Sequence, residues 1–327
     1  MKTIIIDMMG ADAGVTVTIE GVKLFLNRHP GHRLVLVGKK EALKTLSPQC
    51  EIIDAQDIVP MEAGAMDVLR LKNSSMLVAI ETLLARGADA VVSSGSTGGF
   101  LSAATLKVKL VEGVERAALL SPFPSAIKGK QVIVLDIGAN NENTPEQIVQ
   151  FAKMGRIFAQ KVYGLPQPNV YLLSNGTEEK KGSPEIKRAH EILKQINLPG
   201  FKGNTEAKEA LEGHVDVLVT GGYAGNVYLK ATEGGFKLMN QMLKKAFKKN
   251  IFSMLGYLLV KSGIQEIRDT MDYRKFGGAQ LLGLNKVVVK AHGSSDALAF
   301  SYAIEVALKM ADASVPKLIQ EGIKEIF

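Results

Sequence analysis

The sequence predicts an α/β protein built on a mainly parallel sheet, and three observations carry that prediction. Five short apolar runs each end in a loop of Gly, Ser, Thr and Asn. Each loop leads into a stretch with helical apolar spacing. The alternation runs the length of the chain without a long linker, a low-complexity tract or an internal repeat, so positions 1–327 are expected to form one α/β domain. Apolar strand, small-residue loop and helix make the repeating unit of a parallel α/β sheet. Ligands of such sheets bind outside the carboxyl ends of the strands.

The elements follow in order. Thr3–Asp7 is the first strand, and its loop Gly10–Gly14 opens a helix near Val15 with Val17, Val22, Phe25 and Leu26 on one face. Arg33–Val37 is a strand stopped by Gly38, and Glu51–Ile53 is another. Ser74–Ala85 is a helix with Asn73 or Ser74 as its cap. Ala88–Val92 is the next strand, and its loop Ser93–Gly99 leads into a helix over Gly98–Leu110. Val132–Leu135 passes through Gly138–Asn143 into Thr144–Val162, where Thr144 caps and Pro145 takes the first helical position. Val170–Leu173 runs into Asn175–Gly182 and a helix over Pro184–Ile196, and Thr205–Leu211 reads as helical. Val215–Thr220 is a strand, and its loop runs to Asn226, the expected cap of a helix beginning near Val227. Lys286–Lys290 is the last strand, followed by helices over Ser295–Met310 and Val315–Ile326. Ser294 or Ser295 is read as the cap of the first of these, with Asp296 in its first turn.

Composition narrows the classes. The 327 residues are 46% hydrophobic and 22% charged, enough apolar content for a sizeable core. A single cysteine, Cys50, excludes a disulfide framework and a Cys-rich metal site and suits a reducing compartment. The chain enters its first strand at once, which leaves no room for a signal peptide and points to a cytoplasmic protein. The net charge of +7 reads either as that of a merely basic protein or as a match for an acidic partner: nucleic acid, anionic lipid or an acidic carrier protein. No RNP, zinc-finger or helix-turn-helix pattern supports nucleic acid in that role.

One stretch departs from the pattern. Gly234–Gln265 contains no Asp or Glu but holds Lys237, Lys244, Lys245, Lys248, Lys249 and Lys261 around the apolar run Ile251–Val260. That run is too short to cross a bilayer, which takes about 20 residues. A basic helix with an apolar face suits a membrane surface or an acidic partner, or else a core helix pair with a solvated lysine face.

The strand-end loops carry the candidate chemistry. Gly-x-Gly-x-x-Gly, Gly-x-x-x-x-Gly-Lys-Ser/Thr, Gly-x-Ser-x-Gly and His-Glu-x-x-His are all missing, which tells against dinucleotide, P-loop, serine-hydrolase and zinc-protease chemistry. In Asn175–Gly182, a lysine beside helix N-terminal amides can hold a phosphate or polarise a carbonyl, or it is part of a solvated turn neutralised by Glu178 and Glu179. In the glycine loop Gly221–Asn226, the Asn226 amide can donate to a developing oxyanion or merely cap. His292 is an acid/base or anion-donor candidate. Asp136 is expected to accept from the amides of its own loop.

Six of these segments occur together in a recognisable order: Lys72–Met76, Ser94–Gly98, Asp136–Asn140, Gly176–Gly182, Gly225–Val227 and Lys290–Asp296. In order and spacing the chain resembles the PlsX family, the bacterial acyl-ACP:phosphate acyltransferases. The resemblance implies a three-layer Rossmann-like sheet akin to phosphotransacetylases and isocitrate/isopropylmalate dehydrogenases, with a protruding helical hairpin. It implies transfer of a fatty acyl group from acyl carrier protein to inorganic phosphate for phospholipid synthesis, the acyl phosphate passing to a glycerol-3-phosphate acyltransferase. No cofactor or metal is implied. By the same resemblance Lys181 and Asn226 are the catalytic candidates, and Asp7, Ser96, Thr97, Gly98, Asp136, Asn140, Thr177, Lys180, His292 and Ser294 line the substrate and phosphate site. A homodimer is implied, attached to the inner face of the cell membrane through about 234–272, with Leu255, Leu258, Leu259, Lys248 and Lys249 in contact.

The chain departs from the family pattern at four loops. The first reads Asp7-Met8-Met9-Gly10-Ala11-Asp12-Ala13, with Ala13 where the family has His. Ser96 stands for Asn, Gly221 for Asp and Phe276 for Tyr. Two other enzymes fit the same fold class, a short-chain phosphotransacylase using coenzyme A and a nicotinamide-linked decarboxylating dehydrogenase. The basic apolar stretch disfavours the first, and the lack of an Asp cluster for Mg²⁺ disfavours the second. A lipid-surface scaffold with altered chemistry is the non-enzymatic alternative.

Overall fold

The structure, a computed structural model, describes residues 2–270 and 278–324. Among these, eleven strands form one sheet: β1 Thr3–Asp7, β2 Arg33–Gly38, β3 Glu51–Asp54, β4 Ala90–Ser93, β5 Ala118–Pro124, β6 Gln131–Leu135, β7 Val170–Ser174, β8 Phe201–Glu206, β9 Val217–Val219, β10 Ala279–Leu282 and β11 Val287–Lys290. The helices are α1 Val15–Arg28, α2 Lys40–Leu43, α3 Ala65–Arg70, α4 Ser75–Ala85, α5 Thr97–Val108, α6 Pro145–Val162, α7 Pro184–Gln195, α8 Gly222–Phe247, α9 Ile251–Thr270, α10 Ala297–Asp312 and α11 Val315–Lys324.

Side chains alternate across each strand, and both faces are buried. Ile4, Ile6, Leu34, Leu36, Val287 and Val289 join one apolar cluster, while Ile5, Val35, Val37 and Val288 join the other. Near-continuous apolar runs are what a sheet covered on both sides requires. Each such side chain contributes roughly 1.5–3 kcal/mol by leaving water. Phe25 of α1 and Phe300 of α10 belong to the first cluster, and Ile80 of α4 and Phe100 of α5 to the second, giving a three-layer α/β/α arrangement. Cys50 is buried in the first cluster, and burial pushes its thiol up to about 11.

The strand order is β3-β2-β1-β4-β11-β10-β5-β6-β9-β7-β8. Pairing is parallel from β3 to β11 and again from β6 to β8, but β10 and β5 pair antiparallel with their neighbours. The two parallel blocks therefore run in opposite directions. The strand-end loops therefore do not form a single row along one edge of the sheet. The carboxyl ends of the blocks instead come level near the middle of the sheet. Val289 pairs with Gln280, Gln280 with Leu120, and Leu120 with Leu135. The loop after β11 and the loop after β6 start about a residue apart in height and leave in opposite directions.

Four local expectations are corrected. Thr205 lies in strand β8, not a helix, because residues 201–206 pair in parallel with β7. Helix α8 begins at Gly222, so Asn226 sits in its second turn and cannot cap it. Asn143 Oδ1 meets the first amide of α8 instead, accepting from Gly222 N at 2.9 Å. Asp296, not a serine, caps α10 by accepting from Ala299 N at 2.9 Å. Ser74 and Thr144 cap as expected, the latter in a reciprocal box with Gln147.

The segment singled out for its lysines is a helical hairpin, α8 and α9. It starts twelve residues before the acid-free stretch, and positions 271–272 lie outside the described residues. Phe247 and Tyr257 pack at 5.1 Å across its turn, and Asn250 Oδ1 caps α9 at Ser253 N. Gly234 and Gly235 lie midway along α8 with open space where a Cβ would go.

At its other end α8 is fixed backbone to backbone. A Cβ on Gly225 would collide with the carbonyl oxygen of Asp136, and one on Gly222 with that of Asn140. Gly225→Ala is therefore expected to cost about 2–3 kcal/mol, read as a lower urea midpoint, whereas Gly235→Ala is expected to be neutral or stabilising. Equal effects from the two would refute the close-packing account.

Candidate active site

The candidate residues gather in three clusters. The first lies at the carboxyl ends of β1, β4 and β11. Asp7 is buried there; its carboxylate accepts from Ser93 Oγ at 2.6 Å and from Met9 N at 3.1 Å. Lys290 is buried beside it and donates to the carbonyl of Ala291. Burial pushes Asp7 up, while it pushes the Lys290 ammonium down to about 8 against the pull of Asp7 and Asp12. Gly10 packs against Gly95, and Asp12 N donates to Gly293 O at 2.9 Å, so the three loops hold one another.

Within this cluster the predicted residues take different parts. Ser96 is buried, donates to Ala63 O at 3.0 Å and accepts from Gly99 N at 3.3 Å as the cap of α5. That hydroxyl is occupied by structure. Thr97 and Gly98 are exposed in the first turn of α5, where amides face outward. His292 is exposed, and its Nδ1 meets Ser294 N at 3.2 Å and Ser294 Oγ at 2.8 Å. A ring nitrogen that accepts from a backbone N–H carries no proton, so Nε2 holds the hydrogen and is the outward donor.

The second cluster surrounds Asp136 after β6. Its carboxylate is buried and accepts from the amides of Leu119, Gly138, Ala139 and Asn140 and from Asn140 Nδ2, all between 2.8 and 3.1 Å. Burial raises its pKa, and the amide donors oppose that. Asn140 Nδ2 also donates to Ala117 O at 2.8 Å. Asp136 and Asn140 thus shape the loop, as the sequence suggested for Asp136. Gly138, at φ +128°, lies so close to Asn226 that a Cβ would stand 3.3 Å from its side chain. Asn226 itself is partly exposed.

The third cluster is the loop between β7 and α7. Thr177, Lys180 and Lys181 are exposed. Among the described residues neither lysine has an ion pair: Glu179 pairs with Lys194 instead, at 2.6 Å. Of the two acids that could neutralise the loop lysines, Glu179 is thus engaged elsewhere. Lys181 folds back over Gly176, where a Cβ would stand 2.8 Å from its Cγ. Gly182 turns the chain at φ +106° and donates to Asn175 Oδ1 at 2.8 Å.

No described side-chain hydrogen bond or ion pair joins one cluster to another. Leu255, Leu258 and Leu259 are exposed on α9, and Lys248 and Lys249 at the hairpin turn. Phe276 lies outside the described residues. Sequence reasoning gave no role to Ser93, Lys290 or Asn143. For Ser93 a signal existed: Ile6 aligns with Val92, so the polar residues ending β1 and β4 meet in register. Among the described residues no group of three His, Cys, Asp or Glu is placed to hold a metal ion.

Because Lys290 titrates near 8 folded and at 10.5 unfolded, the unfolded chain holds the extra proton between those values and stability rises with pH there. Lys153, which burial pushes down to about 8, contributes in the same direction. Lys290→Met is expected to flatten part of that rise in urea midpoints across the window. An unchanged slope would assign the whole rise elsewhere.

Comparison with known proteins adds to this geometry. A family described as "Fatty acid synthesis protein" matches residues 2–318. A phosphate acyltransferase of Brevibacillus brevis is 38% identical over 98% of this chain and 97% of its own. One from Aliarcobacter butzleri is 37% identical over 99% and 98%. Among solved structures, a phosphotransacetylase from Streptococcus pyogenes aligns with TM-score 0.60 at 17% identity, over 96% of this chain and 94% of its own. A branched-chain phosphotransacylase from Enterococcus faecalis aligns with TM-score 0.59 at 15% identity, over 95% and 99%. At such identities the likeness is one of fold.

Proposed function

The chain belongs to the PlsX family of phosphate acyltransferases, and is an acyltransferase that moves an acyl group to phosphate; on that premise we propose that its donor is a long-chain acyl-ACP and its product feeds phospholipid synthesis. The observation that carries this reading is the continuity of α8. One helix presents Asn226 at its packed end and reaches an exposed apolar tip at the other.

Phosphate is already an anionic nucleophile near neutral pH, so no serine or cysteine needs activating. A phosphate oxygen attacks the thioester carbon, and the carbonyl electrons move onto oxygen. Collapse of that tetrahedral oxyanion breaks the C–S bond, and the carrier thiolate leaves and takes up a proton. The protein must align the two anions and hold the oxyanion. Lys181 binds phosphate or the carbonyl oxygen, Asn226 orients the thioester, and the amides at Thr97 and Gly98 and the Nε2–H of His292 supply further donors. Thr177, Lys180 and Ser294 complete the lining. Asp7, Ser96, Asp136 and Asn140 hold its loops.

The hairpin supports the choice of donor. At about 100° per residue, Asn226, Lys230, Lys237 and Lys244 lie on one side of α8, with Glu233 among them. Their ammonium groups are exposed and, among the described residues, have no ion pair, which favours an acidic carrier. On the far side Gly235, Leu238, Met239, Met242, Leu243 and Ala246 form an open apolar face of the helix. Phe252 is 80% exposed and Leu259 86% exposed on α9. No described helix is long and apolar enough to cross a membrane. An exposed apolar tip flanked by Lys248 and Lys249 suits peripheral attachment to anionic lipid, and the apolar face of α8 suits a second copy of the chain. A soluble coenzyme A thioester needs none of this.

The test is phosphate-dependent release of carrier thiol from a long-chain acyl-ACP, with the matching acyl-CoA as control. Turnover that requires phosphate and prefers the carrier is expected; preference for the CoA ester would overturn the donor assignment. Lys181→Met is expected to lower turnover by at least about a hundredfold while leaving the fold intact, and near-normal turnover would remove Lys181 from the mechanism. Leu255→Glu with Leu259→Glu is expected to abolish sedimentation with anionic vesicles. Undiminished sedimentation would exclude the tip as the attachment site.

A further inference from the structure

The Lys181 loop is held from beneath by two buried polar side chains that the reaction chemistry does not call for. Asn204 on β8 and His190 on α7 are 4% and 5% exposed. Asn204 Nδ2 donates to Glu178 O at 2.9 Å and, at 3.4 Å, to Lys181 O. Lys181 N donates to the same Glu178 carbonyl at 3.0 Å, so one amide grips both ends of the turn that carries Lys181. With Nδ2 facing two carbonyls, Oδ1 is left facing His190 Nδ1 at 3.0 Å. Turning the amide over would set oxygen against both carbonyls, so its orientation is fixed and His190 must carry its hydrogen on Nδ1. The ring is held edge-on to Phe201 at 5.2 Å, and its Nε2 stands 4.0 Å from Glu179.

We propose that Asn204 and His190 are positioning residues for Lys181, a buried relay from α7 through β8 that sets the height and direction of the loop between β7 and α7. The proposal rests on the reading of Lys181 as a catalytic group. A long, exposed lysine has little to fix it beyond its own backbone, and a misplacement of about 1 Å in such a group can cost about a hundredfold in rate. Burying an asparagine at the foot of the loop, bonded on both its faces, supplies that fixed backbone.

Steady-state kinetics with inorganic phosphate and acyl-ACP varied in turn test this, together with amide hydrogen exchange over 176–182. Asn204→Leu is expected to lower kcat/KM for phosphate about 10–100-fold, leave the acyl-ACP KM unmoved, and speed exchange at Lys181 and Gly182. His190→Leu is expected to follow it. His190→Asn keeps an N–H donor in the Nδ1 position and is expected to restore both readouts, which a merely structural histidine would not. Should Asn204→Leu fail to fold, the His190 pair carries the same test. Folded variants with parental phosphate kinetics and parental exchange would overturn the relay, as would His190→Asn behaving no better than His190→Leu. If Lys181→Met is inert while Asn204→Leu is normal, the relay alone fails. If Lys181→Met is active, the reading of Lys181 fails and the relay with it.

Discussion

The arrangement depends most on one carboxylate. Asp136 collects four backbone amides and one side-chain amide and offers nothing in return. Without it those donors would be stranded in a buried turn, at about 1–3 kcal/mol for each left unsatisfied. With it, residues 136–143 form a platform flat enough for the glycines of α8 to rest on directly. That contact places Asn226 over Gly138 and fixes where α8 leaves the body. The orientation of a 26-residue helix thus traces back to how one loop satisfies its backbone.

A second constraint comes from the two antiparallel strands at the middle of the sheet. By reversing the chain direction, β5 and β10 bring the strand ends of two parallel blocks to nearly the same height. The Asp7 and Asp136 clusters therefore flank the same two central strands, an arrangement that would let the proposed reaction draw donors from both blocks. Within each cluster the buried polar groups hold loops, while Thr97, Lys181, His292 and in part Asn226 stay exposed, which is what the proposed reaction asks of them.

The repeated strand–loop–helix unit was legible because its signals are local: apolar alternation, small residues at strand ends, Thr144 and Pro145 at a helix start. What escaped depends on pairing across the sheet. Pro122 and Pro124 disguise β5, and β8 takes its conformation from β7, so neither shows as a strand by itself. Asn226 reads as a cap because Asn is a good one. Only the close approach of Gly222 and Gly225 to the Asp136 loop reveals that the helix starts earlier. The loops bearing Lys181 and Asn226 were recognisable as motifs, whereas the burial of Lys290 and the Asn204–His190 pair follow from contacts between residues distant in the chain.

The paired glycines midway along α8 have a mechanical consequence. Neither Gly234 nor Gly235 has a neighbour where a side chain would be, and glycine in a helix interior gives up roughly 1 kcal/mol relative to alanine. Sharp bends in helices fall at such weak points. The helix is thereby divided into an anchored root and a compliant arm. A bend at that joint would swing the arm and leave the root, with Asn226, in its place over Gly138.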